Sequence, residues 1–281
     1  MAKPASPDGA LRAGGASNGP ANPVTGPGKT HVGQEARAAS AFGLWADPVL
    51  LLALLALWTA LAIIFNREPE IDRAVSSFFF AAEPCATGSP QLACGTFAAG
   101  ANAFLGTLRS VLQYLPMVAV VVVIAGLASE LAAGRGLEFA RTRYAATALA
   151  ALALGPGLLV NAFLKEHWGR PRPVLTDLYG GPFPFVPAGE WSNACPSNCS
   201  FVSGEASSIF WLVCLIPLLP AGQRRIGAVV IVAIAFFAAG LRVAFGGHYL
   251  SDVVLGGLST LIVFAALATL VEWSIRMRRR P

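Results

Sequence analysis

Charged side chains are scarce in this chain of 281 residues, in which Asp, Glu, Lys and Arg together make up 12%. Soluble globular domains carry about twice that share, roughly 25%. A soluble protein so poor in charge could not cover its surface with polar groups. The mean hydropathy of +0.62 points the same way. The composition therefore excludes an ordinary soluble domain and predicts that lipid surrounds most of the chain.

Large apolar residues are scarce in residues 1–40, which consist mainly of Ala, Gly, Pro, Ser and Asn. Too little apolar surface is available there to offset the entropy of ordering, so we predict a disordered tail. The segment also lacks the apolar central region of a cleavable signal peptide. We therefore expect the first membrane helix to remain in the mature protein.

Beyond this tail, six apolar runs approach the roughly 20 residues of helix that a bilayer requires. A Gly-Pro-Gly sequence at 155–157 should kink the third run, and polar residues at 203–205 weaken the fourth. We predict an all-α polytopic membrane protein, with a six-helix domain at 41–275 and a short basic tail at 276–281. The six predicted transmembrane helices are Pro48 to Phe65, Val111 to Ala128, Tyr144 to Leu164, Phe201 to Leu219, Ile226 to Val243 and Val253 to Val271.

The Lys and Arg residues are distributed unevenly between the two sides of these spans. If the amino terminus is cytoplasmic, 13 of the 20 lie on the cytoplasmic side and 7 on the outer side. Cytoplasmic segments carry such an excess, so we predict that both termini are cytoplasmic. The net charge of +5 is then mainly an inside excess, and we expect no nucleic-acid partner. Three outer cations, Lys165, Arg170 and Arg172, lie close together, which suggests a role other than topology.

Cysteine is rare, with five residues in the whole chain. Cys85 and Cys94 fall in the first predicted outer loop, and Cys195 and Cys199 fall in the second. Cys214 lies alone within the fourth span. Two pairs, each within one loop, are typical of local disulfides in an oxidising compartment, although four unpaired thiols would also fit. No nearby His or third Cys completes a zinc site at the Cys-x3-Cys pair.

Ionisable residues at the outer ends of the spans form three clusters, and such residues indicate a functional site in a membrane protein. The first contains Lys165 at the end of the third span, followed after six residues by Arg172 and Pro173. Pro171 and Pro173 should end the helix, which lets Arg172 fold back beside Lys165. Two such cations suit a phosphate group. The alternative is that these basic residues extend toward lipid headgroups.

The second cluster spans residues 199–208 at the start of the fourth span and includes Ser203, Gly204 and Glu205. A helix amino terminus presents free backbone N–H groups, to which Ser203 adds a hydroxyl, and together they can bind an anion. A plain helix cap, with Glu205 close behind the serine, is the alternative interpretation.

The third cluster contains Arg242 near the end of the fifth span, with His248 and Asp252 at the start of the sixth. His248 and Asp252 are four residues apart and share one face of a helix. A carboxylate on one ring nitrogen fixes the tautomer and leaves the other nitrogen free as a nucleophile. Arg242 could add a third phosphate ligand. Alternatively, Ser251 and Asp252 only cap the sixth helix.

Together, the three clusters resemble the signature motifs of the type 2 phosphatidic acid phosphatase superfamily. Lys165 is followed after six residues by Arg172 and Pro173, and a Ser-Gly pair opens the next span. The last motif is Arg242, five residues, His248, three residues and Asp252. The resemblance covers residues 165–252 by motif, and the six-span arrangement extends it to 48–271.

The resemblance also assigns roles to these residues. It implies that His248 forms a phosphohistidine and that Asp252 orients it. It implies no cofactor and no metal, because side chains supply the positive charge. The phosphate cradle would consist of Lys165, Arg172, Ser203, Gly204 and Arg242.

This chain departs from the family pattern at two positions. Glu205 stands where the middle motif has a His that protonates the leaving alcohol, and Leu241 stands where a Ser is usual. Three outcomes are open for the proton donor: Glu205 is the acid, His167 or a water replaces it, or the protein only binds its ligand. From its position, we predict that Glu205 is the acid.

These residues predict a membrane-embedded lipid phosphate phosphatase with its active site at the outer membrane face. Candidate substrates are phosphatidate, phosphatidylglycerol phosphate, undecaprenyl diphosphate and the lipid A phosphates. The topology and the cysteine pairs suit a bacterial inner membrane with a periplasmic site. The alternatives are a lipid phosphotransferase, a non-catalytic lipid-phosphate binder and an anion transporter. An anion transporter should carry ionisable residues deep within several spans, whereas here they cluster at one face.

Overall fold

The computed structural model describes residues 40–87 and 91–278. The predicted tail lies outside these residues except for Ser40, and so do the last three residues of the predicted basic tail. The helices are α1 (Pro48–Arg67), α2 (Glu70–Phe79), α3 (Ala103–Ala132), α4 (Ala140–His167), α5 (Gly204–Cys214), α6 (Arg224–Ala244) and α7 (Leu250–Arg278). Two short strands, β1 (Phe80–Glu83) and β2 (Cys94–Phe97), pair antiparallel between α2 and α3.

Five of the helices are long and apolar enough to cross a membrane, namely α1, α3, α4, α6 together with the turn before it, and α7. The predicted fourth span is instead a shorter apolar helical segment, Gly204–Leu218, in which a 3-10 turn follows α5. The all-α membrane architecture is thus confirmed. The count of six transmembrane helices stays a prediction.

Local hydrogen bonds decide where α1, α3 and α5 begin. The side chain of Asp47 accepts from the amide of Val49 ahead of α1, and Ser203 accepts from Ala206 ahead of α5. Asn102 accepts from Leu105 in the same way. Such caps satisfy amides that lack a partner within the helix. The Asn102 cap starts α3 at Ala103 rather than at Val111, the predicted start.

Helix α4 changes form at the predicted interruption. Residues Ala153–Leu164 adopt a π-helical path between two α-helical stretches. Pro156 lies in this stretch and has no N–H to donate. The side-chain nitrogen Nδ2 of Asn161 donates to the backbone carbonyl of Pro156 at 2.6 Å. The expected kink is therefore a widened stretch of helix, a form that is frequent at functional sites.

Helices α5 and α7 lie at the centre of the bundle, whereas α1 and α3 are peripheral. Half of the span of α7 is buried, against 6% for α1 and 11% for α3. Trp211 of α5 donates from its indole to the carbonyl of Ala148 in α4 at 2.7 Å. Ser207 of α5 lies 2.6 Å from Thr260 of α7, oxygen to oxygen. The two helices that carry the second and third motifs are thus fixed against their neighbours by hydrogen bonds.

Two disulfides stabilise the loops at the end of the bundle where the motifs lie. Cys85 is bonded to Cys94 beside the β1–β2 hairpin, and Cys195 is bonded to Cys199 in the loop before α5. Both predicted pairings are therefore confirmed. Gly169, directly after α4, has a φ of +75°, and a Cβ at this position would lie 1.5 Å from the carbonyl oxygen of Ser192. Only glycine fits there, so the chain can turn sharply into the first motif.

Candidate active site

The three predicted clusters meet at one end of the bundle. This end contains the last turns of α4 and α6 and the first turns of α5 and α7, because successive helices run in opposite directions. The structure places all eight predicted site residues there: Lys165, Arg172, Ser203, Gly204, Glu205, Arg242, His248 and Asp252. Their mutual contacts differ in part from those that the motifs predict.

His248 is almost completely buried, with 1% of its surface exposed. Its Nδ1 lies 2.9 Å from the backbone carbonyl oxygen of Ser200. A carbonyl only accepts hydrogen bonds, so Nδ1 carries the proton and Nε2 keeps its lone pair. Burial lowers the pKa of His248 to about 4. The imidazole is therefore neutral at neutral pH, as a nucleophile must be.

Asp252 lies farther from His248 than the motif predicts. Its Oδ2 is 3.8 Å from Nδ1, which is too long for a hydrogen bond. The carboxylate instead accepts from the hydroxyl of Ser200 at 2.5 Å and from the amide of Tyr249 at 2.9 Å. Asp252 thus fixes the two residues beside the ring, and the carbonyl of Ser200 fixes the tautomer.

A fully buried arginine, Arg170, holds Asp252 in place. Its Nη1 donates to Asp252 at 2.7 Å, its Nη2 donates to Asp72 at 2.8 Å, and its Nε donates to the carbonyl of Val186 at 2.8 Å. Asp72, on α2, also accepts from the amide of Ser251 at 2.9 Å. Sequence reasoning missed Asp72 because 98 residues separate it from Arg170. We call Asp72, Arg170 and Asp252 the buried network.

The Cys195–Cys199 loop connects the two cations of the first motif. The amide of Cys199 donates to the carbonyl of Lys165 at 3.0 Å. Arg172 donates from Nη2 to the side-chain oxygen of Asn198 at 2.8 Å and from Nε to its carbonyl at 3.2 Å. Arg172 therefore folds back toward the end of α4, as the two prolines predict.

Glu205 lies between two arginines. Its Oε1 is 2.5 Å from Nη2 of Arg109, and its Oε2 is 3.3 Å from Nε of Arg242. The exposed fractions of these side chains are 27% for Glu205, 28% for Arg109 and 7% for Arg242. Sequence reasoning missed Arg109, which belongs to none of the three motifs. We call Arg109, Glu205 and Arg242 the ion-paired cluster.

Arg242 also lies directly beside His248. Its backbone carbonyl accepts from the amide of His248 at 3.2 Å. A Cβ on Gly247 would lie 2.8 Å from the guanidinium of Arg242. The absence of a side chain at position 247 thus leaves room for Arg242 next to His248.

A cavity of about 340 Å³ opens between α3, α4, α5 and α6. Its lining is polar at Arg109, Lys165 and Glu205 and apolar at Met117 and Ile209. A neighbouring hollow of about 450 Å³ lies along the π-helical part of α4 and shares several lining residues. Among the described residues, the lining of the first cavity does not include His248. The polar and apolar parts of the cavity lining suit a ligand with a charged head and an apolar tail.

Comparison with known proteins agrees with the motifs. The model of the PAP2 superfamily matches residues 144–276. A lipid A 4′-phosphatase of Rhizobium leguminosarum is 45% identical over 219 residues, which cover 77% of this chain and 94% of that protein. A lipid A 4′-phosphatase of Rhizobium etli is 43% identical over 240 residues, which cover 81% of this chain and 93% of that protein.

A solved structure is also similar to this chain. It is a transmembrane PAP2 type phosphatidylglycerolphosphate phosphatase from Bacillus subtilis, with 21% identity and a TM-score of 0.49. The match covers 82% of this chain and 98% of that one.

Proposed function

Because this chain belongs to the PAP2 superfamily and is a membrane lipid phosphatase, we propose that it removes the 4′-phosphate from a lipid A type molecule. The names of the two Rhizobium relatives support this choice of substrate. The chain covers more than nine-tenths of each relative. The cavity supports it as well, since its polar end suits a phosphorylated sugar and its apolar end suits the acyl chains.

The observation that carries this proposal is the environment of His248. Nδ1 donates to the carbonyl of Ser200, so Nε2 remains available for attack. The cations Lys165 and Arg242 lie at the ends of α4 and α6, at the same end of the bundle, where they can stabilise the negative charge of a phosphoryl group in transfer. A buried, neutral imidazole beside such cations is suited to nucleophilic catalysis on phosphorus.

The proposed reaction has two steps. Nε2 of His248 attacks phosphorus and forms an N–P bond while the bond from phosphorus to the sugar oxygen breaks. The leaving oxygen takes a proton from the general acid, and the product is the sugar alcohol. Water then attacks phosphorus, the N–P bond breaks, and the acid recovers its proton from that water. Inorganic phosphate leaves, and His248 returns to its neutral form.

We propose Glu205 as the general acid, as its position in the middle motif predicts. It lines the cavity together with Lys165, so its carboxyl group can reach a bound head group. His167 is a poorer candidate, because among the described residues it does not line this cavity and its ring stacks on Phe163. Both of its oxygens contact arginines, so Glu205 must leave at least one of these pairs before it can reach a leaving oxygen.

We further propose that the enzyme lies in a bacterial inner membrane with its active site facing the periplasm. The excess of basic residues on the predicted cytoplasmic side supports this orientation. The two disulfides support an oxidising compartment at the end that carries the site. In this orientation both termini are cytoplasmic.

Release of inorganic phosphate by the detergent-solubilised protein tests this function. The panel contains lipid A, phosphatidate, phosphatidylglycerol phosphate and undecaprenyl diphosphate. We expect the fastest release from lipid A, and its loss in His248→Asn, which keeps a donor for the carbonyl of Ser200. His167→Asn is the matched control and should retain activity. Equal activity of His248→Asn and wild type would refute the nucleophile, and release from another lipid only would refute the proposed substrate.

A further inference from the structure

Arg109 is a cation of the site that belongs to none of the three motifs. It lies on α3, across the cavity from Lys165 on α4, and it lines this cavity. One nitrogen, Nη2, contacts Glu205. Its Nε is buried and has no hydrogen-bond partner within residues 40–87 and 91–278. A guanidinium group binds oxyanions through several donors at once, so Arg109 retains capacity for a ligand.

The position of Glu205 indicates that the space between Arg109 and Arg242 accepts an oxyanion. One carboxylate already spans two guanidinium groups, with Oε1 on Arg109 and Oε2 on Arg242. Arginine binds carboxylate and phosphate oxygens with the same donor geometry. A phosphate group in place of this carboxylate could therefore contact Arg109 and Arg242 together.

The balance of charge favours such an exchange. In the part of the chain that the structure describes, Asp72 and Asp252 both pair with Arg170 and are not available to the cavity. Glu205 is then the only carboxylate among the cavity-lining residues, and it faces Arg109 and Arg242. Lys165 and Arg172 lie at the same end and add two further cations. A phosphate monoester, which carries up to two negative charges, would balance this excess better than one carboxylate does.

We propose that Arg109 is a substrate-binding residue, and that the phosphate of the substrate takes the place of Glu205 between Arg109 and Arg242. This inference rests on the proposed function, because its ligand is a lipid phosphate. The exchange moves the phosphate from the cavity to Arg242, whose carbonyl accepts from the amide of His248. It also releases Glu205 from its arginines beside the bound head group, where it can act as the proposed general acid with solvent water as the source of its proton.

Titration of the full-length, detergent-solubilised protein with inorganic phosphate in a calorimeter tests this inference without turnover. We expect Arg109→Gln to raise the Kd for phosphate roughly 10- to 100-fold, the usual effect of one charged hydrogen bond. Arg109→Lys should raise this Kd by a smaller factor, because lysine keeps the positive charge. We expect Glu205→Gln to lower the Kd, because the competing carboxylate is gone. Arg67→Gln is the control, since Arg67 is an exposed arginine at the end of α1 outside the cavity.

The opposite signs of the two effects separate this inference from a merely structural ion pair. If the pair only supports the fold, both changes weaken phosphate binding and lower the melting temperature alike, and the inference is wrong. An unchanged Kd in Arg109→Gln, or no phosphate binding by wild type, also overturns it. If no lipid in the panel releases phosphate but the titrations follow our expectation, the proposed function fails and the phosphate site remains.

Discussion

The end of the bundle that carries the site contains two groups of charged residues that differ in exposure and in charge balance. In the buried network, Asp72, Arg170 and Asp252 have no exposed surface, and the single cation is bonded to both carboxylates. In the ion-paired cluster, about a quarter of Glu205 is exposed, and cations outnumber the one carboxylate. The first group has no capacity left for a ligand, whereas the second has an excess of positive charge next to a cavity.

This difference assigns different tasks to the two groups. Burying three ions costs desolvation free energy that their attraction does not always offset. The buried network nevertheless fixes the geometry around His248, because Asp252 accepts hydrogen bonds from Ser200 and Tyr249, the two residues beside its ring. The ion-paired cluster remains partly solvated and can exchange its carboxylate for another anion. Changes in the first should therefore affect folding most, and changes in the second should affect substrate binding and catalysis.

The largest effect is expected for Arg170→Met. This change leaves Asp72 and Asp252 buried without a counter-charge, and an uncompensated buried charge typically lowers the free energy of unfolding by about 3–5 kcal/mol. Thermal unfolding in detergent measures it, with the exposed Arg67→Met as the matched control. If Arg170→Met has the same melting temperature as wild type, the buried network has no structural role.

The next largest effect is expected for Arg242→Gln, which should leave the melting temperature within a few degrees of wild type. Removal of one donor that stabilises a transition state typically lowers kcat by about 100- to 1,000-fold. Phosphate release from the lipid substrate measures it. Arg225→Gln, at the other end of α6, is the control and should retain full activity. A large loss of stability with little loss of kcat would show that Arg242 supports the fold rather than catalysis.

The pH dependence of kcat/KM should show a smaller but diagnostic effect. His248 attacks only when neutral, so activity is lost as the pH falls through the pKa of the free enzyme. At pH 5, a histidine with the ordinary pKa of about 6.5 is about 3% neutral, whereas one with a pKa of about 4 is about 90% neutral. We therefore expect the acid limb of the profile near pH 4, recorded where the protein still melts cooperatively. A limb near pH 6.5 would show that the burial of His248 does not control its charge.

The smallest effect should distinguish the two disulfides. The Cys195–Cys199 loop carries the partners of Lys165 and Arg172, so its loss should displace the cradle. We expect replacement of both cysteines by Ser to lower kcat/KM about tenfold, because small misplacements of positioned groups are costly. The same change at Cys85 and Cys94, beside the β1–β2 hairpin, should stay within about twofold. Equal losses for both pairs would contradict this.

Residues that lie close together in the sequence could be predicted, because their spacing fixes their geometry. Lys165 and Arg172 flank one helix end, so motif spacing brought them to the site. His248 lies just before α7, which begins at Leu250, whereas the spacing predicted it on the first turn of that helix; it still lies four residues from Asp252. The membrane helices were predicted from long apolar runs, and the cysteine pairs from their loops. The fourth span was the exception, because polar residues at 203–205 and the turn after α5 leave it shorter than the others.

Contacts between distant segments could not be predicted from one sequence. Arg109 is 96 residues from Glu205, and Asp72 is 98 from Arg170. Neither residue stands out by itself, since a lone Arg or Asp near a span end is common. The carbonyl of Ser200 was missed because any residue could supply it. In each case the partner is chosen by helix packing, which local patterns do not contain.

The most direct test of the central claim, that His248 is the nucleophile of a lipid phosphatase, is to trap the intermediate. The purified enzyme is mixed with lipid A that carries a radioactive 4′-phosphate and is quenched in alkali within the first turnover. We predict a label that is stable to alkali and labile to acid, on the peptide that contains His248, and no label in His248→Asn. Phosphate release without such a label, or a label on any other residue, would contradict the account.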